Sequence, residues 1–226
     1  MIPFDVICPT DGSDLSAFVD AAGKNKMKAL GILSPTEKML FCISDLSVPD
    51  EQSCEPVLCL FHFSWENRVW DLSCKDDFLS LVARFDGDVD RFLIAYRNAC
   101  KSAILGTDCR LAFGLESFRD FLDGKSESST YRKTILDLTD LLVKRGQAVG
   151  YAAKHPVFDL SPCVLRRIAE LRGDLLPATF AQTPSEIGKG LENTLLSARA
   201  AGIGSYLTYV NSGWERRPIT TYKENL

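Results

Sequence analysis

Zinc is the first chemistry that the residue types of this chain could support. Cys54-x4-Cys59-x2-His62, with Cys74 after a gap of eleven residues, supplies four ligands of the kinds a tetrahedral site uses. The spacing holds no Cys-x2-Cys knuckle, and 59–62 lies in an apolar run, where cysteine serves as a small hydrophobe. No metal ligand is therefore assigned. Asp86-Gly87-Asp88-Val89-Asp90 opens like a calcium loop, but Arg97 stands where the bidentate glutamate belongs. Helix capping by Asp86 or Asp88 accounts for these acids. Only two histidines occur, His62 in an apolar run and His155 before a proline. Nucleophile-elbow, zincin and phosphate-loop motifs are absent, and Gly188-Lys189-Gly190 lacks the rest of the Walker spacing. Without a nucleophile–base pattern the chain is expected not to be an enzyme and to need no cofactor. Paired carboxylates need no motif, so a carboxylate-based enzyme stands as an alternative.

Basic residues are the stronger lead. Arg97 and Lys101 are four apart and share a helical face. Arg84 and Arg91 lie before and beside them, and Lys144-Arg145, Arg166-Arg167 and Arg216-Arg217 are further pairs. Any single pair is more simply a solvated face. Each Lys or Arg near an anionic bilayer contributes about 1 kcal/mol, so several must act together. The candidate lipid- or phosphate-binding set is Arg84, Arg91, Arg97, Lys101, Lys144, Arg145, Arg166 and Arg167.

The elements that would position these residues read as helices. Ser13-Asp14 caps a helix through Ala22, and Lys24–Leu30 forms a weak second one. Ser34-Pro35-Thr36-Glu37 reads as a capping box, followed by Met39, Leu40, Ile43 and Leu46 on one face, with Val48-Pro49 as the stop. Phe78, Leu81, Val82 and Phe85 form another face. Val89, Phe92, Leu93, Tyr96, Cys100, Ala103 and Ile104 mark the clearest amphipathic helix, within 86–105. Further helices are expected from Gly106 to Gly124, over 130–154, over 161–172 and from Thr183 toward Gly202. The stretch 56–72, rich in strand formers, reads as a β-hairpin turning at Glu66-Asn67, with a buried helix as the alternative. The tail from Ser212 is polar and expected to be loosely held.

These elements predict an all-α fold. An N-terminal helical domain would span 1–155, with bundle subdomains 1–82 and 83–155, and a small helical C-terminal domain would span 160–226. The net charge of −4 is uneven: residues 1–82 carry 13 acids against 6 bases, while the remainder is mildly basic. That balance opposes strong nonspecific nucleic-acid binding. Eight scattered cysteines without scaffold spacing suit free thiols in a reducing compartment. No apolar run reaches the ~18–20 residues of a membrane span, and the opening residues do not read as a signal peptide. Any membrane contact is expected to be peripheral.

Two segments resemble the influenza-type matrix proteins of orthomyxoviruses, most closely a distant branch such as the thogotoviruses. One is Ile32-Leu33-Ser34-Pro35 followed by Leu46-Ser47-Val48-Pro49-Asp50-Glu51; the other is Gly87-Asp88 leading into Ala95-Tyr96-Arg97 and Lys101. Ala21-Ala22-Gly23-Lys24-Asn25 adds a weaker match. The family's dense basic run is thinned here to Arg97 and Lys101, and its Cys/His cluster has no counterpart. The resemblance implies a virion protein beneath the envelope, also found in host cytoplasm, at the inner face of the plasma membrane and in the nucleus. It implies self-association into a layer that touches anionic lipid and ribonucleoprotein, with RNA binding, which the thinned basic run here reduces to weak direct nucleic-acid binding if any. It also implies loosening at low pH, for which interface carboxylates come first and His155 second. A helical adaptor or viral accessory protein binding a host protein through Trp65 and Trp70 is a further alternative.

Overall fold

Short apolar runs organise the chain as strands, seven of them in one sheet. The computed structural model describes residues 4–9, 13–44, 46, 52–125 and 128–219. Eleven strands and six α-helices alternate along them: β1 (Phe4–Ile7), α1 (Leu15–Lys24), β2 (Ala29–Ser34), β3 (Met39–Ile43), β4 (Gln52–Cys59), β5 (His62–Trp65), β6 (Arg68–Asp71), α2 (Lys75–Ala83), α3 (Val89–Leu105), β7 (Leu111–Phe113), α4 (Ser129–Lys144), β8 (Ala148–Tyr151), α5 (Pro162–Glu170), β9 (Leu175–Pro177), α6 (Leu191–Ala200), β10 (Ser205–Val210) and β11 (Gly213–Pro218). The all-α expectation is therefore wrong.

Seven strands form one sheet in the order β1-β2-β3-β4-β7-β8-β9. Only β3 runs against its neighbours; the other pairings are parallel. The two edges meet. Ile7 bridges Ala181, just beyond β9, and the Cys8 amide donates to the Ala181 carbonyl at 3.0 Å. The sheet is thus a nearly closed barrel, with helices in the crossovers between parallel strands.

Each helix that became a strand has a local reason. Ser34-Pro35-Thr36-Glu37 does not cap a helix: Ser34 ends β2, and Pro35–Lys38 is a tight turn closed by the Lys38 amide on the Pro35 carbonyl, with Lys38 at φ 55°. In β3, Leu40 and Cys42 are buried while Met39 and Phe41 are less so, a period of two. The proposed stop at Val48-Pro49 lies outside the described residues. The helix expected over 130–154 ends at Lys144, because Gly146 turns the chain at φ +71° into β8. Residues 106–124 hold the three-residue strand β7 and a 3-10 turn at Arg119–Phe121. Gly188 and Gly190, both at positive φ, delay α6 until Leu191. The 56–72 stretch divides between β4 and a β5–β6 hairpin that turns at Glu66-Asn67. Beyond Ser212 the chain is not loose through Pro218, since β11 pairs with β10 along six residues.

The ends of the barrel differ. Below the N-terminal ends of the strands, the β10–β11 hairpin packs Tyr209 and Trp214 on Phe4, and Tyr209 shares a 2.6 Å hydrogen bond with Ser53. Arg216 on β11 donates to Asp174 at 2.6 Å. At the other end Phe61, Phe113, Phe158 and Phe180 pack on one another, with Phe158 and Phe180 stacked at 3.8 Å. Gly150 in β8 admits them, because a Cβ there would run into the Phe113 ring. One end is closed by the hairpin; the other, where the parallel strands finish, carries a cavity lined by the turns after β8 and β9. Segment 156–160, read as a domain boundary, joins β8 to β9 through α5, and these strands are neighbours in the sheet.

Candidate functional site

A cavity of about 430 Å³ opens at the C-terminal ends of β8 and β9. One wall is the turn after β8, Ala152–Val157; the other runs from Ala178 to the start of α6. Two hydrogen-bond systems hold these walls. The buried Thr194 hydroxyl on α6 accepts from the Ala153 amide at 3.1 Å. Asp5, fully buried in β1, accepts four bonds: at Oδ1 from the amides of Val6 (2.8 Å) and Thr179 (2.7 Å), and at Oδ2 from the Thr179 hydroxyl (2.7 Å) and the Gly188 amide (3.0 Å). Asp5 thus latches the barrel seam and fixes the segment that leads into α6. Burial raises its pKa above the ordinary carboxylate value, and the four donors oppose that rise.

His155 lies in the first wall with its ring against Phe158 and Phe180. Its Nδ1 accepts from the Val157 and Phe158 amides at 3.1 and 3.3 Å. Two donors on Nδ1 place the ring proton on Nε2. Burial pulls the pKa of the ring below its ordinary value, against the nearby Glu186 and Asp159 charges. The ring is therefore a neutral imidazole presenting an N–H, suited to hydrogen-bonding an anion or polarising a carbonyl. Lys154, at φ 65°, and Lys189 line the same cavity and form no ion pair with another described residue. Glu186 also lines it, but its carboxylate already accepts from the Gln182 and Thr183 amides at 2.9 and 3.0 Å, which holds its pKa low. Gly190, the N-cap of α6, brings no capping side chain, and the first helical bond runs from Thr194 to Gly190. The amides of residues 191–193 therefore have no acceptor within the helix.

A second polar cluster lies beyond β7. Glu116 is buried; its carboxylate accepts from the Tyr131 hydroxyl at 2.7 Å and the Ser161 amide at 2.6 Å, with Arg119 at 3.9 Å. Burial raises its pKa, and burial beside this carboxylate raises that of Tyr131. Arg119 continues to Asp159 at 3.2 Å. The cluster ties the starts of α4 and α5 to the end of β7.

The residues expected from sequence fall elsewhere, apart from His155. Arg97 and Lys101 on α3 both reach Asp137 of α4, at 3.2 and 3.5 Å. Arg167 on α5 grips Asp140 of α4 through two bonds of 2.6 and 2.7 Å. These three line one outer face across α3, α4 and α5, with Arg166 and Arg167 in a shallow cavity between α4 and α5. Arg84 pairs with Glu66, Arg91 with Asp86, and Arg145 with Asp108. Lys144 is exposed at the end of α4. Six of the eight thus face a carboxylate of the chain itself. Asp88 caps α3 through the Asp90 and Arg91 amides. Cys54 and Cys74 are exposed, whereas the Cys59 thiol is buried and pushed up to about 12. Among the described residues no group of three His, Cys, Asp or Glu is placed to hold a metal, and no helix is long and apolar enough to cross a membrane.

Asp5, Lys154 and Glu116 escape the sequence reading, and Lys189 enters it only as part of a failed phosphate-loop motif. Asp5 and Glu116 carry one usable signal, a lone acid inside an apolar run. Of the two segments that carry the matrix-protein resemblance, Ile32-Leu33-Ser34-Pro35 is the end of β2 and a turn, not a helix, while Tyr96-Arg97 lies on α3, where Tyr96 faces the core and donates to the Leu60 carbonyl. Compared with known proteins, the chain matches no family model and no curated sequence.

Proposed function

We propose that this chain is a barrel protein that binds a small phosphorylated ligand at the mouth formed by β8 and β9. One observation carries this reading: two lysines without an ion pair among the described residues, a histidine held as an N–H donor and Gly190, the uncapped start of α6, line one cavity. Barrels of parallel strands place their sites at this end, often with phosphate held after the last two strands and against the start of an added helix. That placement is an analogy of architecture; the chemistry rests on the residues. Lys154 and Lys189 supply charge and His155 Nε2–H supplies a directed donor, while Glu186, kept ionised by its backbone bonds and by Lys189, offsets one of the two positive charges. The one hydroxyl–carboxylate contact at the cavity, Thr179 to Asp5, belongs to the buried seam latch, and binding is the activity assigned.

Titration with inorganic phosphate, followed by amide chemical shifts, tests it. Saturable shifts confined to residues near 153–157 and 188–194 are expected, with at least tenfold weaker binding in a Lys154→Glu, Lys189→Glu double variant. Both lysines are exposed, so this variant should fold normally. Shifts spread over α3–α5 instead, or unchanged affinity in the double variant, would refute the assignment.

A further inference from the structure

The mouth cavity does not end at α6. A second cavity of about 650 Å³ shares Ala153, Lys154 and Gly190 with it and continues as a groove between α5 and α6. Its character changes along the way. Leu160, Leu165, Leu196 and Ala200 supply its walls, and Leu196 is 54 % exposed, one of few large apolar side chains so placed among the described residues. Asn193, Leu196, Ser197 and Ala200 repeat at the three- and four-residue steps of one helix face, so the groove follows α6, about 15 Å long. The alanines keep it open. Several of its polar groups are already engaged: Asp159 holds Arg119 at 3.2 Å, and the Tyr151 hydroxyl is hydrogen-bonded with Ser197. Arg166 and Asn193 also line the groove, but only a hydrocarbon would cover the exposed Leu196.

We infer that the ligand is amphipathic, with its phosphate in the cationic mouth and an apolar arm along the α5–α6 groove. The inference rests on the phosphate reading above and names the class of ligand: an alkyl, acyl or prenyl phosphate. Its charge lies beside Lys154 and Lys189, and its arm passes the shared wall at Gly190 to lie against Leu196 and Ala200. Burying one methylene is worth about fourfold in affinity, so burial of roughly two methylenes of a six-carbon arm already gives tenfold.

Calorimetric titration of the full chain with methyl phosphate, hexyl phosphate and ribose 5-phosphate tests this. Hexyl phosphate should bind at least tenfold more tightly than either of the others. Leu196→Asp, at an exposed position, should bring hexyl phosphate down to the methyl phosphate level and leave methyl phosphate unchanged; Ala200→Trp, which fills the groove, should do the same. Equal affinity for methyl and hexyl phosphate, both still lost in the double lysine variant, would overturn the apolar arm and leave the phosphate site standing. Ribose 5-phosphate binding as tightly as hexyl phosphate would also overturn the arm. Hexyl phosphate binding that the double lysine variant does not weaken would overturn the phosphate reading, and this inference with it.

Discussion

Replacing Asp5 with alanine removes the acceptor for four donors at the barrel seam: the Val6, Thr179 and Gly188 amides and the Thr179 hydroxyl. The Val6 amide is buried and would bear the full cost of an unmade bond, about 1–3 kcal/mol. The donors on Thr179 and Gly188 are only partly buried and can recover some hydration, so each loses nearer 0.5–1 kcal/mol. Relief from removing a desolvated carboxylate offsets part of this, because burial already disfavours its charged form. The net expectation is a loss of about 2–4 kcal/mol, measured by equilibrium urea unfolding followed by circular dichroism. For a chain of 226 residues that is a fall of about 4–16 °C in Tm. Thr179→Val removes one 2.7 Å bond of the same set and should cost about 1 kcal/mol. Combined with Asp5→Ala, it should cost less than the sum of the two, by roughly 1 kcal/mol. The proton linkage is unusual in sign. The folded-state pKa of Asp5 lies above the unfolded value of 3.8, so the folded form takes the proton first. This carboxyl therefore adds stability as pH falls toward 3.8 and withdraws it as pH rises through the folded value, and Asp5→Asn should abolish that contribution. An Asp5→Ala variant that loses less than about 1 kcal/mol, or strictly additive behaviour with Thr179→Val, would show that Asp5 does not latch the seam.

Tyr131→Phe should destabilise the fold by about 1–2 kcal/mol, because one oxygen of the buried Glu116 loses the hydroxyl that donates to it; denaturant unfolding reads this directly. Gly150→Ala should cost about 1–3 kcal/mol or more, since the added methyl meets Phe113 and Phe180 at the mouth, and a thermal melt at unchanged pH will show it. The folded-state pKa of His155 lies below 6.5, so its contribution to stability is present above that pH and is lost as pH falls through the folded value. A nitrogen-detected NMR titration should report a neutral Nε2–H tautomer at pH 7; a protonated ring there would contradict the hydrogen bonds on Nδ1.

Helices with a distinct polar face were legible in the sequence. The periodic apolar set from Val89 to Ile104 is α3, with Phe92, Leu93, Tyr96, Cys100 and Ile104 buried, and Ser161-Pro162 opens α5. Strands buried on both faces were not. Leu111–Phe113 and Leu175–Pro177 are three residues each, too short to show any period, and a fully buried parallel strand has no polar alternation to display. Helix-start chemistry misled as well. Ser34-Pro35-Thr36-Glu37 and Thr183-Pro184-Ser185-Glu186 have the same residue types. The second does direct the Glu186 carboxylate onto the Thr183 amide, while the first makes a hairpin turn. The difference lies in the neighbours of the next segment: Met39–Ile43 finds β2 and β4 on either side, and sheet pairing overrides the local preference.

The candidate site was hidden for a topological reason. His155 and Lys189 are far apart in the chain, and no spacing rule links them. They meet because parallel strands β8 and β9 must end at the same side of the barrel, and each sends its following turn across that end. Gly188-Lys189-Gly190 fails as a phosphate loop by motif, yet its glycines adopt the positive φ that lets the Gly188 amide reach Asp5 and α6 begin uncapped. The same tripeptide therefore serves the seam with its backbone and the mouth with its lysine. A substitution such as Gly188→Ala would strain the positive-φ turn, and it should loosen the Asp5 latch and displace Lys189 together. Loss of stability and of phosphate affinity in that one variant, with affinity restored by no change at Lys154, is the outcome this coupling requires.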